Sequence, residues 1–183
     1  MKYPLSLLIA GALSVACGAA SAFGPSSEAK TIYNQSKDQA ASAYKAARAR
    51  CDAITGNPKD VCVAEAKTAR VRAEQEASAL YHNTLKAYTD SHLKIASANY
   101  DLDKTRCAAL TGNDKDVCLS QAKATLVAAQ ADAKADKKAI EARNEARDDK
   151  ITAEYKVALE KCDAFAGAAK DSCVSTAKTQ YGK

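Results

Sequence analysis

Cysteine and histidine are the residue types in this chain best suited to chemistry. Six cysteines fall in three pairs, Cys51 and Cys62, Cys107 and Cys118, and Cys162 and Cys173, with ten residues between the members of each pair. Zinc or copper sites favour cysteines closer together with a histidine near by, and thiol redox sites favour Cys-x-x-Cys. Neither pattern occurs here. An even set of cysteines at one recurring spacing reads instead as a disulfide framework in an exported chain. The recurrence favours the three local bonds over every longer connection. Each would close a loop of about twelve residues and stabilise the fold by roughly 2.5–3 kcal/mol through restriction of the unfolded chain.

His82 and His92 are the only histidines. On one helix, ten steps of ~100° set them about 280° apart, so they do not converge on a ligand. They read as surface residues, with a weak metal contact beside Asp90 as the alternative. No Gly-rich phosphate loop, His-Glu-x-x-His or Gly-x-Ser-x-Gly motif is present. Carboxylates are many, but no pair is singled out for acid–base work. The expectation is a non-enzymatic protein with no catalytic residue, cofactor or metal site.

The cysteine pairs sit inside a longer recurring text. Cys51-Asp-Ala-Ile-Thr-Gly-Asn-Pro-Lys-Asp-Val-Cys62 returns as Cys107-Ala-Ala-Leu-Thr-Gly-Asn-Asp-Lys-Asp-Val-Cys118 and as Cys162-Asp-Ala-Phe-Ala-Gly-Ala-Ala-Lys-Asp-Ser-Cys173. A Tyr stands seven residues before each first Cys (Tyr44, Tyr100, Tyr155), and Ala-Lys follows each second Cys. Such self-similarity is the signature of a repeat architecture. Gly56, Gly112 and Gly167 are placed to stop a helix in the left-handed conformation. Asn57 and Asn113 then read as N-caps, with Asp60 and Asp116 three residues on. The third unit keeps Asp171 but has Ala168 at the capping position. The three tyrosines read as seam residues near the disulfides, or as an aromatic patch for a partner.

Of 183 residues, 42 are Ala, 7 Gly and 3 Pro. After residue 22, Ile, Leu, Val and Phe make up about one residue in seven, below the rough 20% at which an ordinary core becomes doubtful. Ala-rich text with so few breakers suits long helices. Four are expected: Ser27 to Thr55, Pro58 to Thr111, Asp114 to Ala166, and Ala169 to about Tyr181. The second should weaken or bend around Thr89-Asp90-Ser91-His92. The stretch 128–146 is almost all Ala and charge, and reads as an exposed or marginally ordered helix. The fold class is therefore all-α: long antiparallel, coiled-coil-like hairpins with three disulfide-stapled helix–turn–helix repeats. The first and fourth helices should meet at one end of the central hairpin as a local four-helix bundle.

Residues 1–22 read as a secretory signal peptide, with an apolar stretch from Leu5 to Val15 and the small-x-small site Ala20-Ser21-Ala22. Residues 23–183 then form one elongated domain. Cys17 is the rival anchor, as a lipidation site, and only in that case is a membrane contact expected. Charges of both signs alternate along the chain, which argues against nucleic-acid binding and for solvated helix faces.

The Gly-Asn-x-Lys-Asp-x-Cys turns within Ala/Lys/Glu-rich helices resemble small exported proteobacterial helical proteins. Some of these are labelled TolA-like or cell-envelope biogenesis factors. The arrangement is also similar to mitochondrial twin Cys-x9-Cys hairpins, with one residue more between the cysteines. The resemblance implies a periplasmic or secreted protein of a Gram-negative bacterium and brings no activity with it. The expected role is presentation of a long helical surface to a protein partner, with oligomerisation open. The alternatives are a periplasmic holdase and a metal-stress binding protein. Mass spectrometry of the exported chain should find Phe23 as its first residue; a lipid-modified Cys17 would contradict cleavage after Ala22.

Overall fold

The computed structural model describes residues 26–183; Cys17, Ala22 and Phe23, on which the signal and lipidation readings rest, lie outside the described residues. Five helices follow one another among the described residues: α1 (Ser27–Arg50), α2 (Gly56–His82), α3 (Leu85–Cys107), α4 (Gly112–Cys162) and α5 (Gly167–Tyr181). A short 3-10 turn, Cys51–Ala53, ends α1. The fold is all-α, and its antiparallel helices are stapled in pairs by three disulfides.

The second expected helix is two helices. α2 ends at Asn83, whose φ of 45° is left-handed, and its N–H donates to the Ala79 carbonyl. Asn is among the few residues that take this conformation at low cost. Thr84 then caps α3, its hydroxyl accepting from the Ala87 N–H at 3.1 Å. The chain thus reverses at Asn83-Thr84, and the Thr89–His92 stretch, where a bend was expected, runs inside the regular α3.

This reversal rearranges the whole molecule. Among the described residues, helices pack only on their sequence neighbours: α1 on α2, α2 on α3, α3 on α4 and α4 on α5. The four-helix bundle expected between the first and last helices does not form, because α1 and α5 are not brought together. The first and second cysteine turns lie at the same end, joined by a hydrogen bond from Asn57 Nδ2 to the Thr105 carbonyl (2.9 Å) and an Arg106–Glu65 ion pair (2.9 Å). The third lies at the far end of α4, whose 51 residues extend about 76 Å at ~1.5 Å per residue. The 128–146 stretch is continuous α-helix within it.

The core is a set of alanine seams. Ala40, Ala66, Ala77, Ala79, Ala96 and Ala122 are buried, with Leu102 and Leu126 the large aliphatics among the buried residues described. Small side chains let helix backbones approach closely but bury little apolar area each. Two hydroxyls occupy the α2–α3 seam. Thr68 donates to the Ala98 carbonyl (3.2 Å) and Ser91 to the Gln75 carbonyl (2.8 Å), so both are satisfied where they are buried.

Gly56, Gly112 and Gly167 have left-handed φ values of 66°, 56° and 55°. They open the following helix and do not stop the preceding one, which has already ended near the first Cys of each pair. A Cβ on Gly112 would meet nothing within 4 Å, so substitution tests the backbone alone. Gly112→Val should lower stability by about 1 kcal/mol or more, with Gly112→Asn milder. Equal denaturant midpoints for wild type and Gly112→Val would contradict a required left-handed residue.

Candidate functional site

The structure joins Cys51 to Cys62, Cys107 to Cys118 and Cys162 to Cys173, with Cα–Cα separations of 5.7, 5.7 and 5.6 Å. The first member of each pair ends its arm and is almost fully buried, and these three are the largest fully buried side chains described. The second member sits in the second turn of the next helix and is half-buried. Two extended residues, such as Ile54-Thr55, and the left-handed Gly carry the chain between them.

The expected capping roles do not appear. The helices opening at Gly56, Gly112 and Gly167 have no side-chain cap bond. Asn57 turns its amide to α3, where it donates to the Thr105 carbonyl near that helix's C-terminus. Asn113, Asp60, Asp116 and Asp171 are exposed. The turns are closed by other charges. Asp52 accepts from Arg48 (2.6 Å) and pairs with Lys59 (3.3 Å), and at the third turn Lys170 pairs with Asp163 (2.7 Å). Asp52 and Asp163 follow the first Cys of their pairs directly, a position that Ala108 takes in the second turn. The hydrogen bond from Arg48, with Lys59, holds the Asp52 carboxyl below the usual carboxylate range. Asp163 correspondingly raises Lys170. These groups are solvent-exposed, so the pairs orient the turns and add little stability.

Each tyrosine of the recurring text reaches the partner helix. The Arg70 guanidinium lies 5.4 Å from the Tyr44 ring centre, Lys123 5.6 Å from that of Tyr100, and Tyr155 packs 6.1 Å from Tyr181. A stack of Tyr33 on Tyr81, at 4.7 Å and 13° between planes, closes the other end of the α1–α2 pair. Its members lie 48 residues apart with no shared motif, so the primary sequence offers no local signal for it. His82 and His92 are exposed, and Asp90 pairs with Lys86. Among the described residues no group of three or more His, Cys, Asp or Glu side chains is placed to hold a metal ion.

The exposed surface includes large apolar residues at the turns and one long helix. Each cysteine turn presents one large apolar residue three positions after its first Cys: Ile54, Leu110 and Phe165. α4 is covered on one side only. Its buried positions Ala122, Leu126 and Ala133 face α3, Cys162 is bonded into α5, and residues 138–150 are exposed all round. No described helix is long and apolar enough to cross a membrane. Comparison with protein-family models, curated proteins and solved structures finds no match for this chain.

Full reduction should leave most helicity at low temperature, because Ala-rich segments favour helix by themselves. It should lower the melting temperature, each loop contributing roughly 2.5–3 kcal/mol. Circular dichroism melts with and without reductant read this directly; coincident melts would show that the disulfides do not stabilise the pairs.

Proposed function

We propose that this chain is a non-enzymatic protein of the periplasm or cell envelope that holds a long, rigid helical surface for a protein partner. The observation that carries the reading is α4. Over 51 residues it runs as one helix, with α3 covering its first half, α5 its last turns, and residues 138–150 bare. A solitary helix of Ala and charged residues has no core of its own to gain by staying single. It makes sense as a surface held out between two disulfide-bonded ends. The export signal read at 1–22 and three disulfides, which persist in oxidising compartments, support the location. The carboxylates whose acidity is shifted, Asp52 and Asp90, owe it to surface lysines and an arginine, which supports a structural use of charge.

The reading is tested by placing a photo-crosslinking residue at Ala142 or Arg147 in the native envelope, with exposed Asp38 on α1 as control. Discrete adducts at the two α4 positions and none at Asp38 are expected. An absence of adducts along 138–150 would overturn the reading.

A further inference from the structure

α4 carries a second uncovered surface, longer than the gap at 138–150. At about 100° per residue, Ala124, Ala128, Ala131, Ala135, Ala142 and Ala146 fall in one stripe, and Ala153 continues it past Asp149, which lies at the stripe's edge on the side of Glu141 and Glu145. All are exposed. The stripe lies on the opposite side of the helix from Ala122, Leu126, Ala133 and Cys162, the positions turned to α3 and α5. Neither helix stands in the way of anything laid along it.

The chain itself shows what such a surface fits. Counted inward from the cysteine at each end, the 43 residues between Cys118 and Cys162 correspond to the 44 between Cys62 and Cys107, which form the α2–α3 hairpin. In that hairpin Thr68 lies opposite Ala98, and Gln75 opposite Ser91. The corresponding residues of α4 are Ala124 and Ala153, and Ala131 and Ala146. The hairpin folds back at Asn83-Thr84; counted back from Cys162, α4 has Lys138-Ala139 at those places, both good helix formers, and it runs straight. Both halves of α4 therefore keep the positions that α2 and α3 use against each other, and neither half can reach the other.

Charge points to a second copy. Asp132 and Asp136, Lys134 and Lys138, Glu141 and Glu145, and Arg143 and Arg147 are like-charged pairs four residues apart. Within a lone helix such pairs are unfavourable. Among the described residues Asp132, Asp136, Lys134, Lys138, Arg143 and Glu145 make no ion pair. The two aspartates flank the stripe on one side before the midpoint, and Arg143 flanks the same side after it. On the other side the order is Lys134 and Lys138, then Glu141 and Glu145.

From the stripe, its correspondence to the α2–α3 contact and these charge rows, we infer that α4 pairs antiparallel with α4 of a second copy about a two-fold near Lys138-Ala139. The inference rests on the reading of α4 as an interaction surface, and it names one occupant. Ala131 then lies opposite Ala146 of the second copy and Ala124 opposite Ala153. Asp132 and Asp136 face Arg143, and Lys134 and Lys138 face Glu141 and Glu145. Each crossing matches the α2–α3 contact in position, once on either side of the two-fold, with alanine in place of Thr68, Gln75 and Ser91 and without the hydroxyl hydrogen bonds of Thr68 and Ser91. The charge rows suit a second copy in either direction, and the hairpin contact selects the antiparallel one.

The test uses the purified mature chain with its disulfides intact. Sedimentation should show the mass doubling as concentration rises. Mixing single variants Ala131→Cys and Ala146→Cys under mild oxidation should give the mixed disulfide in clear excess over either homodimer. Lys134→Glu with Lys138→Glu should weaken pairing about tenfold or more, by turning attractive surface pairs into repulsive ones. Adding Glu141→Lys and Glu145→Lys to the same chain should restore it. All these substitutions are at exposed positions, so helical content reports whether the fold is kept. A monomer at every concentration overturns the pairing, as does a predominance of Ala131→Cys homodimer. If the chain stays monomeric while envelope crosslinking at Ala142 captures a different protein, self-pairing fails and the surface reading stands. Absence of adducts at Ala142 and Arg147 in the envelope defeats the surface reading itself.

Discussion

The rest of the structure depends on a cysteine buried where two alanine-lined helices meet. Cys51, Cys107 and Cys162 are the bulkiest groups fully shielded from water in a fold whose seams are otherwise mostly alanine. Burying alanine yields only a small hydrophobic gain, on the order of 25 cal/mol per Å² of apolar area. The helices have high intrinsic propensity, yet propensity cannot decide which of them lie together. A bond closing about twelve residues makes that choice at three turns by removing open conformations from the unfolded chain. At the fourth reversal no cysteine is present, and a left-handed Asn83 with a Thr84 cap does the same work by conformational preference.

Local sequence made some of this legible and hid the rest for definite reasons. The cysteine spacing, together with its recurrence, points to the three bonds that the structure contains, and alanine content with few Gly or Pro points to helices. The reversal at Asn83-Thr84 was obscured because it uses neither Gly nor Pro and falls in a helix-favouring composition. Asn at a helix end followed by Thr was the available signal. Its consequence is large: an unbroken helix from Pro58 to Thr111 separates the first two cysteine turns, whereas the fold-back brings them together. Asn57 follows a left-handed Gly, as a cap would, but the adjacent end of α3 offers its amide the Thr105 carbonyl, and that tertiary contact takes the side chain. The Tyr33–Tyr81 stack depends on the α1–α2 register and has no pattern along the chain.

Two corresponding segments, 44 and 43 residues long, have different outcomes within one molecule. Between Cys62 and Cys107 the chain folds into a hairpin that covers itself. Between Cys118 and Cys162, without Asn-Thr at the midpoint, it stays straight and leaves its alanine face and its segregated charges to the outside. A pair of residues at the midpoint thus separates a self-contained seam from an open surface. The proposed interaction surface and the proposed pairing of two copies both rest on that difference.

The fold-back at Asn83-Thr84 sets the first two cysteine turns side by side and leaves the third at the far end of α4. Distances between labels at the exposed, corresponding positions Asp60, Asp116 and Asp171 measure this most directly, using non-cysteine chemistry that spares the disulfides. Two helix spacings of about 10 Å each place Asp60 within roughly 30 Å of Asp116, while Asp116 and Asp171 should be separated by about the length of α4, ~70 Å or more. A long Asp60–Asp116 distance, comparable to the other, would mean that residues 58–111 run as one helix, and would contradict the account.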